Sequence, residues 1–421
     1  HSFPTRRSSD LLLGVARMSM PRRKALHAHG ITTMAQLATA ERGPRGIRQA
    51  DFEALRDQAA LQVRAREATA AAREADPAAP EVVLSEVISA EALAALPAPS
   101  PGDVFFDFEG DPLWRPAPGA PSGLEYLFGV EVLDVPEGAD VVGGDDPAAY
   151  GPPDEHGARY RAWWAHDRAE EGRALADFLD WLAARRRRYP DLHVYHYAAY
   201  EVTALKRLTA VHGIGAEQLD DLLRQHVFVD LYATVRAGVR VSQASYSIKK
   251  LEPLYMPARG ADGVTGGADS IVEYQRYCTA RDAGEAERAA GMLERIRAYN
   301  ELDCESTWRL RDWLLAQRDA VADASGAEGA CPECTGTENR TGAELDSRVQ
   351  HRCGVHAQGD GGGPDGDAEE PGPTVPEPAL PETPEATASD RWAAAQEAEE
   401  RFRALGLPPA GERTGAEQAL A

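Results

Sequence analysis

Lysine is nearly absent from this chain of 421 residues, standing only at Lys24, Lys206, Lys249 and Lys250, so almost every positive charge is an arginine. Such a bias is what a GC-rich coding sequence produces, and alone it points to no activity. Cysteine is also sparse: five residues, with no spacing that reads as a disulfide framework, make a cytoplasmic protein the expectation. No apolar run reaches the roughly 18 residues of a membrane helix, and no secretory leader is recognisable. No membrane partner is expected. Positive charge is in deficit: Lys and Arg against Asp and Glu number 13 against 11 over residues 1–100, 25 against 37 over 101–320, and 7 against 20 over 321–421, for a net charge of −23. This balance argues against a protein that holds nucleic acid by bulk charge, because phosphate contacts come from Lys and Arg. A site that is acidic because it binds metal remains compatible with it.

The pattern along the chain changes several times. Residues 1–11 read as a translated sequencing adapter and are set aside, and the remainder is expected to be the interior of a longer protein. Over residues 12–75, Met20-Pro21 opens an amphipathic stretch, Gly30 breaks it, and Ile31-Thr32-Thr33 starts a second run ending near Ala40. The outline is that of half a helix-hairpin-helix clamp without its full signature, and ordinary helical packing is the preferred reading. Residues 51–75, rich in Ala, Arg and Glu, predict a solvated helix, and 76–80 a linker. From 81 to 320 an α/β pattern takes over, with strands at 104–109, 126–133, 160–165, 193–197 and 227–230. Helices are predicted over 168–188 and 200–212, the latter closed by Gly213, and over most of the remainder to Gln317. Three early strands in a meander, then alternating strand and helix, predict a mixed sheet with helices on both sides. Residues 321–389 are acidic and rich in Gly and Pro, hence a disordered linker, and 390–421 hold a short amphipathic helix and a tail.

Two carboxylate motifs carry the chemistry. In Val104-Phe105-Phe106-Asp107-Phe108-Glu109 the period of two puts Asp107 and Glu109 on one strand face. In Tyr299-Asn300-Glu301-Leu302-Asp303, Tyr299 and Asp303 stand i, i+4 on a helix. Phosphodiester hydrolysis needs such hard oxygen ligands, because paired divalent ions activate water and stabilise the leaving oxygen. A polar edge-strand face is the bland reading of Asp107 and Glu109, but the flanking phenylalanines argue for burial, where an unpaired charge is costly.

As an ordered set, FDFEGDPLW at 106–114, EYLFG at 125–129, HVYHYAAYE at 193–201, VDLY at 229–232, YSIKKLEPLY at 246–255 and YNELDCEST at 299–307 resemble the YprB-type RNase H-like domain of RecB-like nuclease and superfamily I helicase fusion proteins, in the DEDDy class of 3′–5′ exonucleases. The resemblance implies two ions, Mg²⁺ or Mn²⁺, held by Asp107, Glu109, Glu201 and Asp303, with Tyr299 orienting the attacking water. It also implies a single-stranded DNA or RNA substrate, a helicase domain in the parent protein, and work in DNA repair. Glu201 stands where the wider pattern has Asp, and its alternative is an acid favoured at a helix N-terminus. Asp230 competes for that role, with an N-cap as its alternative. His196, Tyr197, Lys249 and Lys250 are candidate nucleic-acid contacts, against a core histidine and a solvated helix end; Trp114, Trp163 and Trp164 are candidates for base stacking, against packing.

A last signal is Cys331-x-x-Cys334 with His351, Cys353 and His356, which permits a Cys₃His zinc site. The second half is not a CxxC knuckle, and a disordered tail that contains cysteines is preferred. The reading reached is a metal-dependent exonuclease; its rival is a non-catalytic module that guides nucleic acid to a helicase.

Overall fold

Alternation within Val104–Asp111 divides one strand between two layers, and the rest of the architecture is built around that division. The computed structural model describes residues 11–117, 122–135, 146–259, 264 and 266–328. In chain order these form α1 (Met20–Ala28), α2 (Met34–Ala38), α3 (Gln49–Ala75), β1 (Ser85–Val87), α4 (Ala90–Ala94), β2 (Val104–Asp111), β3 (Leu124–Val132), β4 (Arg159–Trp164) and α5 (Arg168–Arg188). There follow β5 (Val194–His196), α6 (Tyr200–His212), α7 (Ala216–Arg224), β6 (Phe228–Asp230), α8 (Leu231–Gly238), β7 (Val239–Val241), α9 (Ile248–Leu251), α10 (Gly267–Asp282) and α11 (Ala286–Glu328).

Five strands lie in the order β4-β3-β2-β5-β6. β2, β3 and β4 pair antiparallel as the expected meander, while β5 runs parallel to β2 and β6 parallel to β5. This is the mixed, helix-flanked sheet of an RNase H-like fold. On one face Val104, Phe106 and Phe108 meet Phe178 and Leu182 of α5 and Leu205 and Leu208 of α6; Phe106 stacks on Phe178 at 4.8 Å. On the other face Phe105 packs with Tyr195 and with Trp308 and Leu310 of α11. Asp107 and Glu109 share that second face and are therefore turned toward α11. β2 is central, so the edge-strand reading of these acids is overturned.

Several boundaries follow from capping chemistry. The Asp167 side chain caps α5 by accepting from the Glu170 amide, and Gly213, at φ 65, closes α6. Thr33 and Gln36 form a reciprocal capping box at α2. α3 differs from the solvated helix expected: Phe52, Leu55, Leu61 and Ala65 are buried, together with Gln58 and Gln62. Gln58 donates to the Val241 carbonyl at 2.8 Å and Gln62 to the Gly14 carbonyl at 2.8 Å, which removes the penalty of burying an amide. A second small sheet, β1 antiparallel to β7, was also not expected. The region from residue 329 onward, including the expected linker, the 390–405 helix and the candidate zinc residues, lies outside the described residues, as do residues 1–10 of the expected adapter.

One buried acid on the sheet bears on stability. Glu131 on β3 is 3% exposed, and its Oε2 accepts no hydrogen bond. Burial, reinforced by the charges of Glu305, Asp154 and Glu301, pushes its carboxyl up to about 9 from an ordinary 4.5. The folded chain thus keeps a proton that the unfolded chain releases, so this contribution is complete below pH 4.5 and is lost as pH rises toward 9. Glu131→Gln should flatten the decline of the thermal midpoint between about pH 5 and about pH 9; a variant whose midpoint falls as steeply as wild type would show that Glu131 is not the titrating group.

Candidate metal centre

The site is assembled by a close approach of α11 to β3. Gly129 sits beneath Asn300: a Cβ built at Gly129 would lie 1.6 Å from Asn300 Oδ1 and 2.7 Å from the Tyr160 hydroxyl. Only a residue without a side chain lets the helix settle there. The Tyr160 hydroxyl donates to Asn300 Oδ1 at 2.7 Å, which leaves the Asn300 amide to donate to Asp107 Oδ2 at 2.9 Å. This chain of contacts fixes both the orientation of the amide and that of the carboxylate. Cys304, one turn further on, donates to the Gly129 carbonyl at 3.5 Å. Below, Arg311 bonds Asp103 at 2.7 Å, a buried pair that ties α11 to the start of β2.

With the helix so seated, Asp107 and Glu109 of β2 and Asp303 of α11 place carboxylate oxygens within 4.8 Å of one another. A register shift between Glu109 and Gly110 marks the end of regular pairing with β3. Glu109 is 5% exposed and the other two are partly covered. Three like charges at this separation repel unless cations join them. Arg259 supplies part of the compensation, lying 2.6 Å from Asp303 Oδ1 and bonding Glu252 through both of its paired nitrogens. Even so, Asp303 Oδ1 is buried without a donor aligned on it. Hard, converging carboxylate oxygens fit a divalent cation.

The Tyr299 hydroxyl is bonded by Lys249, whose ammonium lies 4.4 Å from the ring centre. Burial, then the charges of Asp303, Glu109 and Asp107, hold the Tyr299 phenol well above its usual range. It keeps its proton. Tyr299 therefore stands beside the trio, while Asp303 is braced by Arg259.

These groups line a cavity of about 690 Å³ together with Tyr197, Glu201 and Lys249. Glu201, in the first turn of α6, is not one of the trio. Its Oε2 is buried without a hydrogen bond and lies 3.4 Å from His196 Nδ1, whose proton is directed at the Ala198 carbonyl, 2.6 Å away. Both readings of Glu201 thus have a structural counterpart, a helix N-terminus and a place on the cavity. Asp230 accepts from the amides of Ala198, Tyr232 and Ala233, and is an N-cap of α8. His196 is buried beneath the cavity rather than on its lining, whereas the Tyr197 hydroxyl donates to the Tyr246 carbonyl. Lys250 is exposed and does not line the cavity. Trp163 packs in the core against Trp181, at 5.3 Å, rather than standing ready to stack a base. Asn300, Arg259, Arg17 and Arg236 were not foreseen. Asn300 lies inside the second carboxylate motif, where a buried polar residue on a helix was a usable signal; the arginines gave none.

Residues 148–315 match the family described as the RNase_H superfamily. The matched stretch includes Glu201, Tyr299 and Asp303 but begins after β3, so Asp107 and Glu109 reach the site from outside it. No curated protein and no solved structure matches the chain. The fold is RNase H-like and carries an acidic trio, and the matched stretch is similar to a superfamily whose members generally hydrolyse phosphodiester bonds and bind nucleic acid. Among the described residues no helix is long and apolar enough to cross a membrane.

A cation held by the trio stabilises the folded chain by mass action, about 2.7 kcal/mol at a hundredfold excess over Kd and roughly 5–10 °C in thermal midpoint for a domain of this size. Mn²⁺ should therefore raise the midpoint of wild type and leave that of Asp107→Asn nearly unchanged. Gly129→Ala should cost about 1–3 kcal/mol of stability by overpacking, lower the midpoint without metal, and abolish the Mn²⁺ response. An intact response in Gly129→Ala would show that the seat of α11 does not set the site.

Proposed function

We propose that this chain is a metal-dependent nuclease, a 3′–5′ exonuclease acting on single-stranded DNA or RNA ends, with residues 81–320 as its catalytic unit. The observation that carries the reading is the convergence of Asp107, Glu109 and Asp303 from β2 and α11 on one cavity of an RNase H-like domain. Asp107, Glu109 and Asp303 would hold Mg²⁺ or Mn²⁺, and Glu201 would complete the set for a second ion. When bound, the two ions supply a nucleophilic water at neutral pH and neutralise charge on the leaving 3′ oxygen.

The chain's own residues do the rest. Asn300 keeps the Asp107 carboxylate from rotating, as its amide occupies Oδ2. Tyr299, protonated and beside the trio, offers a hydroxyl to position the attacking water. Lys249, on the same wall, places positive charge where the phosphate enters. The cavity admits a frayed end more readily than an intact duplex. We further propose that the chain is a piece of a larger cytoplasmic repair protein of the RecB-like nuclease and helicase kind, with the helicase domain as its partner. A second reading, a module that guides nucleic acid without cutting it, draws on one observation: the Glu201 carboxylate stands apart from the trio.

Release of nucleotides from 3′- and 5′-labelled single strands, with Mg²⁺, with Mn²⁺ and with chelator, tests the proposal. Wild type should shorten the strand from its 3′ end with metal only. Asp107→Asn and Asp303→Asn should lose roughly 10³-fold or more, and Tyr299→Phe on the order of 10²-fold. Binding without turnover in wild type would select the guiding module instead.

A further inference from the structure

A second cavity, of about 460 Å³, runs between the N-terminal helices and the sheet domain. It shares Ala16, Arg17, Arg236 and Tyr246 with the wall of the acid-floored cavity, so the two are contiguous. The shared wall is cationic where the floor of the first cavity is anionic. Arg17 is exposed and holds a left-handed backbone at φ 64, a conformation that a residue with a side chain rarely adopts. Its guanidinium donates to the Arg236 carbonyl and lies 5.4 Å from the centre of the Tyr246 ring. Arg236 repeats the arrangement on Tyr232, 5.6 Å from the ring centre and donating to its hydroxyl at 3.1 Å.

Among the described residues no carboxylate forms an ion pair with Arg17, which stands against the Tyr246 ring and beside Arg236. Further along the groove the pattern differs. Arg22 lies 3.9 Å from Asp51, and Arg240 is held by Glu86 at 3.1 Å and Asp57 at 3.5 Å. Those two arginines have structural partners, while Arg17 is a cation with a fixed head, beside a second guanidinium, that needs an anion. Planar guanidiniums held against rings are pre-organised for phosphate oxygens.

We infer that Arg17 and Arg236 grip the sugar-phosphate backbone of a single strand whose end lies in the acidic cavity, and that the groove is the path of the strand away from the scissile bond. The inference rests on the nuclease reading and adds to it a binding site to which Arg17, which precedes the RNase H-like domain, contributes together with Arg236 of α8. It also accounts for how an acidic protein holds a polyanion. Contacts to phosphate here are sequence-independent, so the site reads chain length and not base identity.

The test uses the full chain and fluorescein-labelled deoxythymidine oligomers. Anisotropy with Ca²⁺ gives the Kd of the 16-mer across a NaCl series, and hydrolysis with Mn²⁺ gives kcat/KM for the 16-mer and for the dinucleotide dTpdT. The double variant Arg17→Gln/Arg236→Gln should weaken binding of the 16-mer by roughly 10–100-fold at low salt and reduce the slope of log K against log salt by about 1.4, as expected for two lost phosphates on a single strand. The advantage of the 16-mer over dTpdT in kcat/KM should shrink about tenfold or more. Arg17→Lys should recover most of the salt slope, which a merely structural arginine would not, and thermal midpoints within a few degrees of wild type would show that the variants fold. An unaltered Kd and slope in the double variant overturns the inference, as does an equal fall for both lengths, which would place the arginines at the reacting phosphate. Wild type that cleaves while the variants are unaffected defeats the groove alone; wild type that neither binds nor cleaves defeats the nuclease reading with it.

Discussion

The contact on which the site depends is an amide lying over a glycine. Asn300 can meet β3 only because Gly129 has no side chain, and from that seat it reaches both Tyr160 and Asp107. A helix held at this distance brings Asp303 down to the level of Asp107 and Glu109. The buried Arg311–Asp103 pair acts at the other end of the same helix face, and the packing of Trp308 on Phe105 lies between. Acids on a strand and an acid on a helix, separated by nearly two hundred residues, are thus brought together by contacts none of which touches a reacting atom.

Charge is the second constraint. The trio is opposed by Arg259, and Arg259 is in turn shared with Glu252, whose Oε1 also accepts from Ser306 at 3.0 Å. Lys249 stands on the far side of Tyr299. The acids thus have cations close at hand, Arg259 against Asp303 and Lys249 against Tyr299. At the scale of the chain the excess is negative, yet the wall shared by the two cavities gathers guanidiniums. Net charge describes the average surface, and binding is decided by the local one.

Much of the architecture was legible because it follows from local rules. The alternation in β2, the cap at Asp167 and the left-handed Gly213 each declare themselves within a few residues, and the bounds of α5 and α6 fall where they were expected. The pairing of Asp107 with Glu109 was legible for the same reason. What was not legible depends on partners far along the chain. β1 and β7 are three residues each and exist because they pair with one another across about 150 positions. α3 has the composition of a solvated helix, but Gln58 and Gln62 find backbone carbonyls that no local pattern reveals. Glu201 illustrates a residue whose two readings were both physically sound, and the structure keeps a counterpart for each, a helix N-terminus and a place on the cavity.

One of these glutamines, Gln58, has a wider consequence. The Gln58 tie from α3 to the Val241 carbonyl is neutral, amide to carbonyl, and so responds to neither pH nor ionic strength, unlike the Arg240–Asp57 and Arg64–Glu86 ion pairs that cross the same boundary. Contacts from arginine to a polyanion respond strongly. The amide tie would therefore persist at salt concentrations that weaken the ion pairs of the groove and any contact from arginine to phosphate.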